Sequence, residues 1–427
     1  MRRFVALAAA AVLLTGGLAT PAWGATPEAP RNVQVSWAGD QIRVTWQDDG
    51  EANVIRKKTT TGDGVEVDTQ TADEPNEVLL SSDFPETDEA RIIVLSRGTD
   101  GRLSAWGQSP TFDTRRPVRP EMRTADMRDD LSVRLWWYRE ARIDYKDPLD
   151  RPEAQWLKAT VAGPAAGQKK EYTLPLEGGD SMFDVPAPAP LSTITLAAGN
   201  EWGTTAGTGP FVRVGVTRAE TAVVPRQIYG YAVMNLTTLR YQCNCPDDKN
   251  PGKNAVEVEI QARPNTSAPW TKIGRNAGQP GTPFFTEAEA VGSRQYRIFV
   301  PAYGNSWFGD IPIVVMRPVS TAPKTSLTFA NFGTAAFSPA SAPVGATVKL
   351  TVQLLPKADM NAALQRWDGK QWRHTRGVPL VRGVATIPIR ASGRGTTTKY
   401  RILTPRVTVK GLPIEPTTSK PFTLTVR

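Results

Sequence analysis

The side chains with the most chemistry in them are few. His374 is the only histidine in the 427 residues. It stands in Trp372-Arg-His374-Thr-Arg376, between cations that would repel a metal ion, and no second histidine exists to share one. No Ser and Asp can be assigned to it as a triad, so it reads as a surface residue. Cys243 and Cys245 are the only cysteines. In an extended strand their Cα atoms would lie about 6.6 Å apart, near the upper limit for a disulfide. A bridge therefore needs a bend at Asn244, and Pro246 and Asp247-Asp248 favour one. In an oxidising compartment a local bridge is expected; an intermolecular bridge and free thiols are the alternatives. Asp144, Asp147, Asp150 and Glu153 recur every three residues, and Asp247, Asp248, Asn250 and Asn254 make a second oxygen-rich stretch. Hard cations want several such oxygens. Lys146, Arg151, Lys249 and Lys253 interleave with them, so both read as solvated loops. Paired carboxylates for glycoside hydrolysis need a cleft, which small sandwiches seldom provide. No catalytic residue, metal or cofactor is expected; were the chain an enzyme, an extracellular glycosidase would be the class.

Twelve tryptophans are a larger signal. Trp46 and Trp137 belong to a core by alternation, and Trp270 and Trp372 are assigned there because they recur at one place in a repeat. Trp136, Tyr138, Trp202, Trp307 and Trp367 remain as candidate ligand-binding residues. Flat rings on a sheet face stack on the apolar faces of sugars, and an exposed aromatic patch marks an interaction. Packing between domains and contact with a protein are the competing uses.

The elements that must position these residues are strands. Ile42-Arg-Val44-Thr-Trp46 returns as Val133-Arg-Leu135-Trp-Trp137. Period-two alternation marks a half-buried strand, and a strand that buries one face needs a second sheet against it. Short strands with turn signals between them, such as Val78-Leu79-Leu80, Ile92-Ile93-Val94 and the Asp100-Gly101 turn, make residues 27–115 one sandwich. Residues 118–217 repeat the plan, with Ile194-x-Leu196-x-Ala198 in the place of Ile92-x-Val94-x-Ser96. The Arg139–Glu153 stretch is a charged connection, and Pro186-Ala-Pro188-Ala-Pro190 is a loop. Pro30-x-x-Val33, Ile42-x-Val44-x-Trp46 and Ser104-x-Trp106 resemble a fibronectin type III domain. That family usually places a Tyr where Ala90 stands, so this unit is divergent.

The second half carries a different echo. Ile260-Gln261-x-Arg263, Trp270 and Tyr296-Arg297-Ile298 match Leu364-Gln365-Arg366, Trp372 and Tyr400-Arg401-Ile402, with Trp-to-Tyr separations of 26 and 28 residues. The shared order implies an internal duplication over 222–318 and 325–427. It resembles the immunoglobulin-like repeats of secreted Gram-positive surface proteins. The expected fold class is therefore all-β: four tandem β-sandwiches, two fibronectin III-like and two immunoglobulin-like, with joints near 117, 218 and 321. Met360–Leu364 is the only stretch with a helical bid.

Arg2-Arg3, the apolar run Phe4–Leu18 and Ala22-Trp-Gly24 read as a secretory signal peptide over residues 1–24. No later run approaches the ~20 residues of a membrane span. The net charge of +9 is mild over this length and suits attraction to an anionic surface; without a Lys/Arg run, nucleic acid is not an expected partner. The expectation is a secreted, extracellular or wall-associated protein that binds or spaces without catalysis. Its partner would be a cell-wall or other polysaccharide, or a surface protein. The alternative is an accessory to extracellular polysaccharide degradation, because bacterial fibronectin III domains often accompany glycoside hydrolases.

Overall fold

A computed structural model describes residues 26–59, 64–142, 146–243, 255–305 and 313–427; the expected leader, Trp307 and Cys245 lie outside them. The chain is all-β. Seven strands build the first sandwich: β1 (Arg31–Ala38), β2 (Gln41–Gln47), β3 (Ala52–Lys58), β4 (Val65–Gln70), β5 (Glu77–Ser81), β6 (Arg91–Arg97) and β7 (Leu103–Gln108). They order as β1-β2-β5 against β4-β3-β6-β7, a fibronectin III-like sandwich. Ile42, Val44 and Trp46 bury on one face of β2 while Arg43 points out. Each such side chain contributes roughly 1.5–3 kcal/mol by leaving water. Ala90 fills the place of the missing tyrosine; it is fully buried and bridges Phe112 through paired backbone hydrogen bonds of 2.7 and 3.0 Å.

The same order recurs in β8 (Glu121–Met127), β9 (Val133–Arg139), β10 (Trp156–Ala162), β11 (Lys169–Thr173), β12 (Gly179–Val185), β13 (Thr193–Asn200), β14 (Gly203–Ala206) and β15 (Val212–Ala222). Here β8-β9-β12 face β11-β10-β13-β15. Val133, Leu135 and Trp137 are completely buried. The 186–190 loop follows β12 as its prolines require.

The third set is β16 (Arg226–Ile228), β17 (Ala232–Gln242), β18 (Val256–Arg263), β19 (Thr271–Gly278), β20 (Phe284–Glu289), β21 (Arg294–Val300), β22 (Tyr303–Asn305), β23 (Ile313–Arg317), β24 (Val319–Ser320) and β25 (Lys324–Phe329). The fourth is β26 (Asn331–Ser338), β27 (Ser341–Ala342), β28 (Thr347–Leu355), β29 (Met360–Trp367), β30 (Trp372–Leu380), β31 (Val384–Arg390), β32 (Thr396–Thr404), β33 (Val407–Val409), β34 (Leu412–Ile414), β35 (Thr417–Thr418) and β36 (Phe422–Val426). Their sheets superpose in order: β16-β25-β21-β18-β19 corresponds to β27-β36-β32-β29-β30, and β15-β17-β20 to β26-β28-β31.

Contacts divide the chain into two compact units. The first holds the described residues of 26–119, 141–157 and 198–206; the second holds those of 120–140, 158–197 and 207–427. In the first unit, Leu149 is fully buried in the core around Trp46 and Phe112, and its carbonyl accepts from Trp37 Nε1 at 2.6 Å.

In the second unit the expected joint near 218 falls inside β15. Residues 212–216 of β15 pair with β23 in parallel, and 216–222 pair with β17. One strand thus serves two sandwiches without a linker. Ile313, Val314, Val315 and Met316 are all buried, so this continuous apolar run is a strand covered on both faces. Gly215, opposite Met316, leaves the room: a Cβ there would collide with the Met316 sulfur. The expected joint near 321 also moves. Pro323-Lys324 leads into β25, which pairs with β21 and completes the third sandwich; the fourth begins at Asn331. A hairpin between its sixth and last long strands, β33–β34, reaches back to the third. Ser293 N donates to Pro413 O and Glu415 N to Thr328 O, both at 2.8 Å, and a Cβ on Gly292 would strike Leu412. The β22–β23 ribbon holds the equivalent place in the third sandwich. Met360–Leu364 is strand, not helix, because Ala362 and Leu364 alternate inward.

Candidate binding surfaces

Alternation on β9 sends Arg134, Trp136 and Tyr138 away from the core. Register places Trp136 between Thr124 of β8 and Met182 of β12, and Tyr138 beside Asp180. Met182 is 61% exposed, whereas Trp136 and Tyr138 are half-buried. Arg134 closes the row with two hydrogen bonds of 2.7 Å to Asp184, and the Arg123 guanidinium sits 5.1 Å from the Tyr138 ring. Two aromatic rings and a thioether thus share one sheet face with charged borders.

The repeated Gln, Trp and Tyr-Arg signal resolves into a second arrangement. Arg401 Nε donates to Gln365 Oε1 at 2.7 Å, and its guanidinium lies 4.5 Å from the Trp372 ring. Arg297 does the same with Gln261 at 2.8 Å and Trp270 at 4.5 Å; Arg263 adds a second cation at 4.4 Å from Trp270. Trp270 and Trp372 are therefore not core residues: both stand on outward faces under a guanidinium that glutamine orients. A register shift occurs at the same place in each copy, Ile260/Gln261 and Leu364/Gln365. Such a bulge re-aims the following side chains. The tyrosines of the motif point the other way: Tyr296 is buried, and Tyr400 packs edge-on against Phe337. Trp367 pairs with Trp372, centroids 5.3 Å apart, and is 37% exposed.

At the turn beside them, Asp368 accepts from the Gln371 and Lys370 amides and from Arg373 Nε. These bonds to the ionised form, Gln371 first, hold its pKa at about 2, below the ordinary 3.8. Because the folded value is depressed, the turn is fully supported above 3.8 and loses that support as pH falls through 2. An NMR titration of the Lys370 and Gln371 amide shifts should show a midpoint near 2; a midpoint near the ordinary carboxylate value would contradict the turn as described.

The remaining candidates are dispersed. Trp202 lies in the first unit, stacked on Phe112 at 6.1 Å and 12°, with Trp37 at 5.2 Å and Phe84 at 6.1 Å. Its ring packs against these side chains at the edge of the core and is partly buried. Cys243 is disulfide-bonded; Cys245, the other cysteine of the chain, lies outside the described residues, as do Trp307, Asp144 and the 247–254 oxygen-rich stretch. Asp147 accepts from the Asp113 and Leu149 amides, and Asp150 from the Asp147 amide, so this acidic series builds turns. Among the described residues, no three ligating side chains are grouped to hold a metal.

A pocket of about 290 Å³ in the first unit is lined by Asp88, Glu89, Asp113 and Asp147 together with Arg115 and Lys146. Arg115 Nε donates to Asp88 at 2.5 Å and holds its pKa below the usual carboxylate range. A general acid at neutral pH needs the opposite shift.

No family model matches the chain, and no curated protein does. Among solved structures, the FN1–FN3 domains of chicken CNTN1 match at 12% identity and a TM-score of 0.25, covering 71% of this chain and all of that one. The chicken interferon gamma receptor alpha chain matches at 14% identity and a TM-score of 0.20, over 43% of this chain and 95% of that one. The receptor tyrosine kinase Torso, in a structure of neurohormone perception, matches at 14% and 0.16, over 43% and 74%. The fold assignment rests on the strand orders above and not on scores this low.

Proposed function

We propose that the chain is a non-catalytic binding and spacing protein of the cell surface or extracellular medium, with a polysaccharide as its partner. The observation that carries the reading is the outward row of Trp136 and Tyr138 beside exposed Met182 on one sheet face. Rings held by strand pairing lose little freedom when a sugar stacks on them. Two further observations support it. The acidic pocket holds Asp88 against Arg115 and Asp147 against backbone amides, which suits structure and not proton transfer. The second unit is braced by a shared strand and a back-reaching hairpin, which suits a spacer.

The test is a pull-down of the chain from Ala25 on purified Gram-positive cell wall and on insoluble neutral polysaccharides, at low and high salt. Binding that survives salt and weakens on Trp136→Ala by about five- to thirtyfold, the equivalent of one or two kcal/mol, is the expected result. No retention at either salt would remove the polysaccharide partner and leave a protein one.

A further inference from the structure

The positive charge of this chain is in one place. Residues 331–427 carry 15 Lys and Arg against three acids, a net of +12, so the rest of the chain is slightly acidic. Two of the fifteen are ion-paired, Arg373 with Asp368 and Arg406 with Glu415. A sandwich of fewer than a hundred residues with that excess holds a potential of several kT at its surface and draws polyanions to it.

Alternation then shows what one face of this sandwich offers. On β32, Thr397, Lys399 and Arg401 point outward, since Tyr400 and Ile402 point into the core. Register sets Lys399 opposite Thr423 and Thr397 opposite Thr425 of β36, and the two threonine hydroxyls of the latter pair lie 3.0 Å apart. On the other side, Arg401 lies opposite Gln365 of β29, and Gln365 opposite His374 of β30. The Trp367–Trp372 pair ends the same face. Lys399, His374 and Thr423 are exposed. The three acids of this sandwich are committed elsewhere: Asp368 to Arg373 and its own turn, Glu415 to Arg406, and Asp359 to the Arg382 amide. The face therefore combines unpaired cations, hydroxyl and amide groups between them, and a half-open indole at one end.

We propose that this face of β29, β30, β32 and β36 is a binding site for an anionic polysaccharide. Lys399 and Arg401 meet the acidic groups, Thr397, Thr423 and Gln365 meet hydroxyls, and Trp367 stacks on a sugar ring. The proposal rests on the binding reading above and narrows it to one sandwich and one ligand class. A hydroxyl-rich polymer uses the threonines between the cations, which a nucleic acid backbone would not need. Arg401, fixed by Gln365 and Trp372, presents its remaining N–H groups in a set orientation and so loses little freedom on binding.

The test uses the chain from Ala25 with polygalacturonate, neutral dextran and a duplex DNA oligonucleotide as probes, titrated at low and at physiological salt. Variants are Lys399→Glu/Thr423→Glu, both at exposed positions, and Trp367→Ala; circular dichroism checks that each is folded. The wild type should bind polygalacturonate over dextran. The charge variant should lose about tenfold or more at low salt, where screening is weak, and Trp367→Ala should weaken polygalacturonate but not DNA. Unchanged polygalacturonate binding in the charge variant overturns the site. Equal loss for DNA and polygalacturonate, with Trp367→Ala silent, overturns the sugar assignment and leaves unspecific attraction of polyanions. If Trp136→Ala abolishes wall retention while both last-sandwich variants bind polygalacturonate normally, this inference fails and the broader reading stands. If the wild type retains neither wall nor polyanion, both fail.

Discussion

Trp202→Ala should destabilise the first unit by about 2–3 kcal/mol, below the roughly 3–5 kcal/mol of a fully buried tryptophan because part of the ring edge stays open. The cost arises from three ring partners at once. Removing the indole takes away the stack on Phe112 and the contacts with Trp37 and Phe84, and opens a void beside a core that also contains Leu149. Urea denaturation followed by circular dichroism, with limited proteolysis to locate the opening, reads the effect. Polysaccharide retention by the variant should stay at the wild-type level under conditions where it remains folded. The reverse pattern, an unchanged denaturation midpoint with lost retention, would make Trp202 a ligand contact and overturn its placement in the core.

Val314→Asp should cost more, on the order of 3–5 kcal/mol, the penalty of an unpaired charge in an interior. Val314 has no exposed surface and pairs with Arg213 in the parallel β15–β23 ladder. The damage should not stay in the third sandwich. Because β15 is shared, amides of Val212–Val216 should lose hydrogen-exchange protection together with those of Ile313–Arg317, and the second and third sandwiches should open in one transition. Val314→Ala, which only empties volume, should show the same pattern with a smaller loss of about 2 kcal/mol. Full protection of β15 in the Asp variant would refute the shared ladder.

What could be read from the residues and what could not follows from which interactions are local. Ile42-x-Val44-x-Trp46 and its echo announce buried faces because side-chain alternation is a property of one strand. The duplication was also legible, since the order Gln, Trp, Tyr-Arg survives in both copies. Its meaning was not. Whether Trp372 points in or out depends on the bulge at Leu364/Gln365, and a bulge is a relation between two strands. The joints near 218 and 321 fail for a similar reason. The partner of β15 along 212–216 lies about a hundred residues downstream, and no local signal announces it. Trp202 reads as a surplus aromatic in the sequence, but its neighbours Phe84 and Phe112 come from a distant stretch of chain. The charge was hidden by averaging: +9 over the whole sequence is mild, and +12 over its last 97 residues is not.

The back-reaching hairpin also bears on how such a chain is inherited. Cut at Ala330, the fourth sandwich keeps its complete strand order and the burial of Ile414 in its own core, but Leu412, packed against Gly292, sits on a hairpin whose hydrogen-bond partners Ser293 and Thr328 have stayed behind. A gene fragment encoding it alone would yield a product with a greasy, unpaired spur. Recombination between proteins would therefore favour moving adjacent sandwiches together, and a search for kin by single-domain boundaries would cut the molecule where it is least divisible.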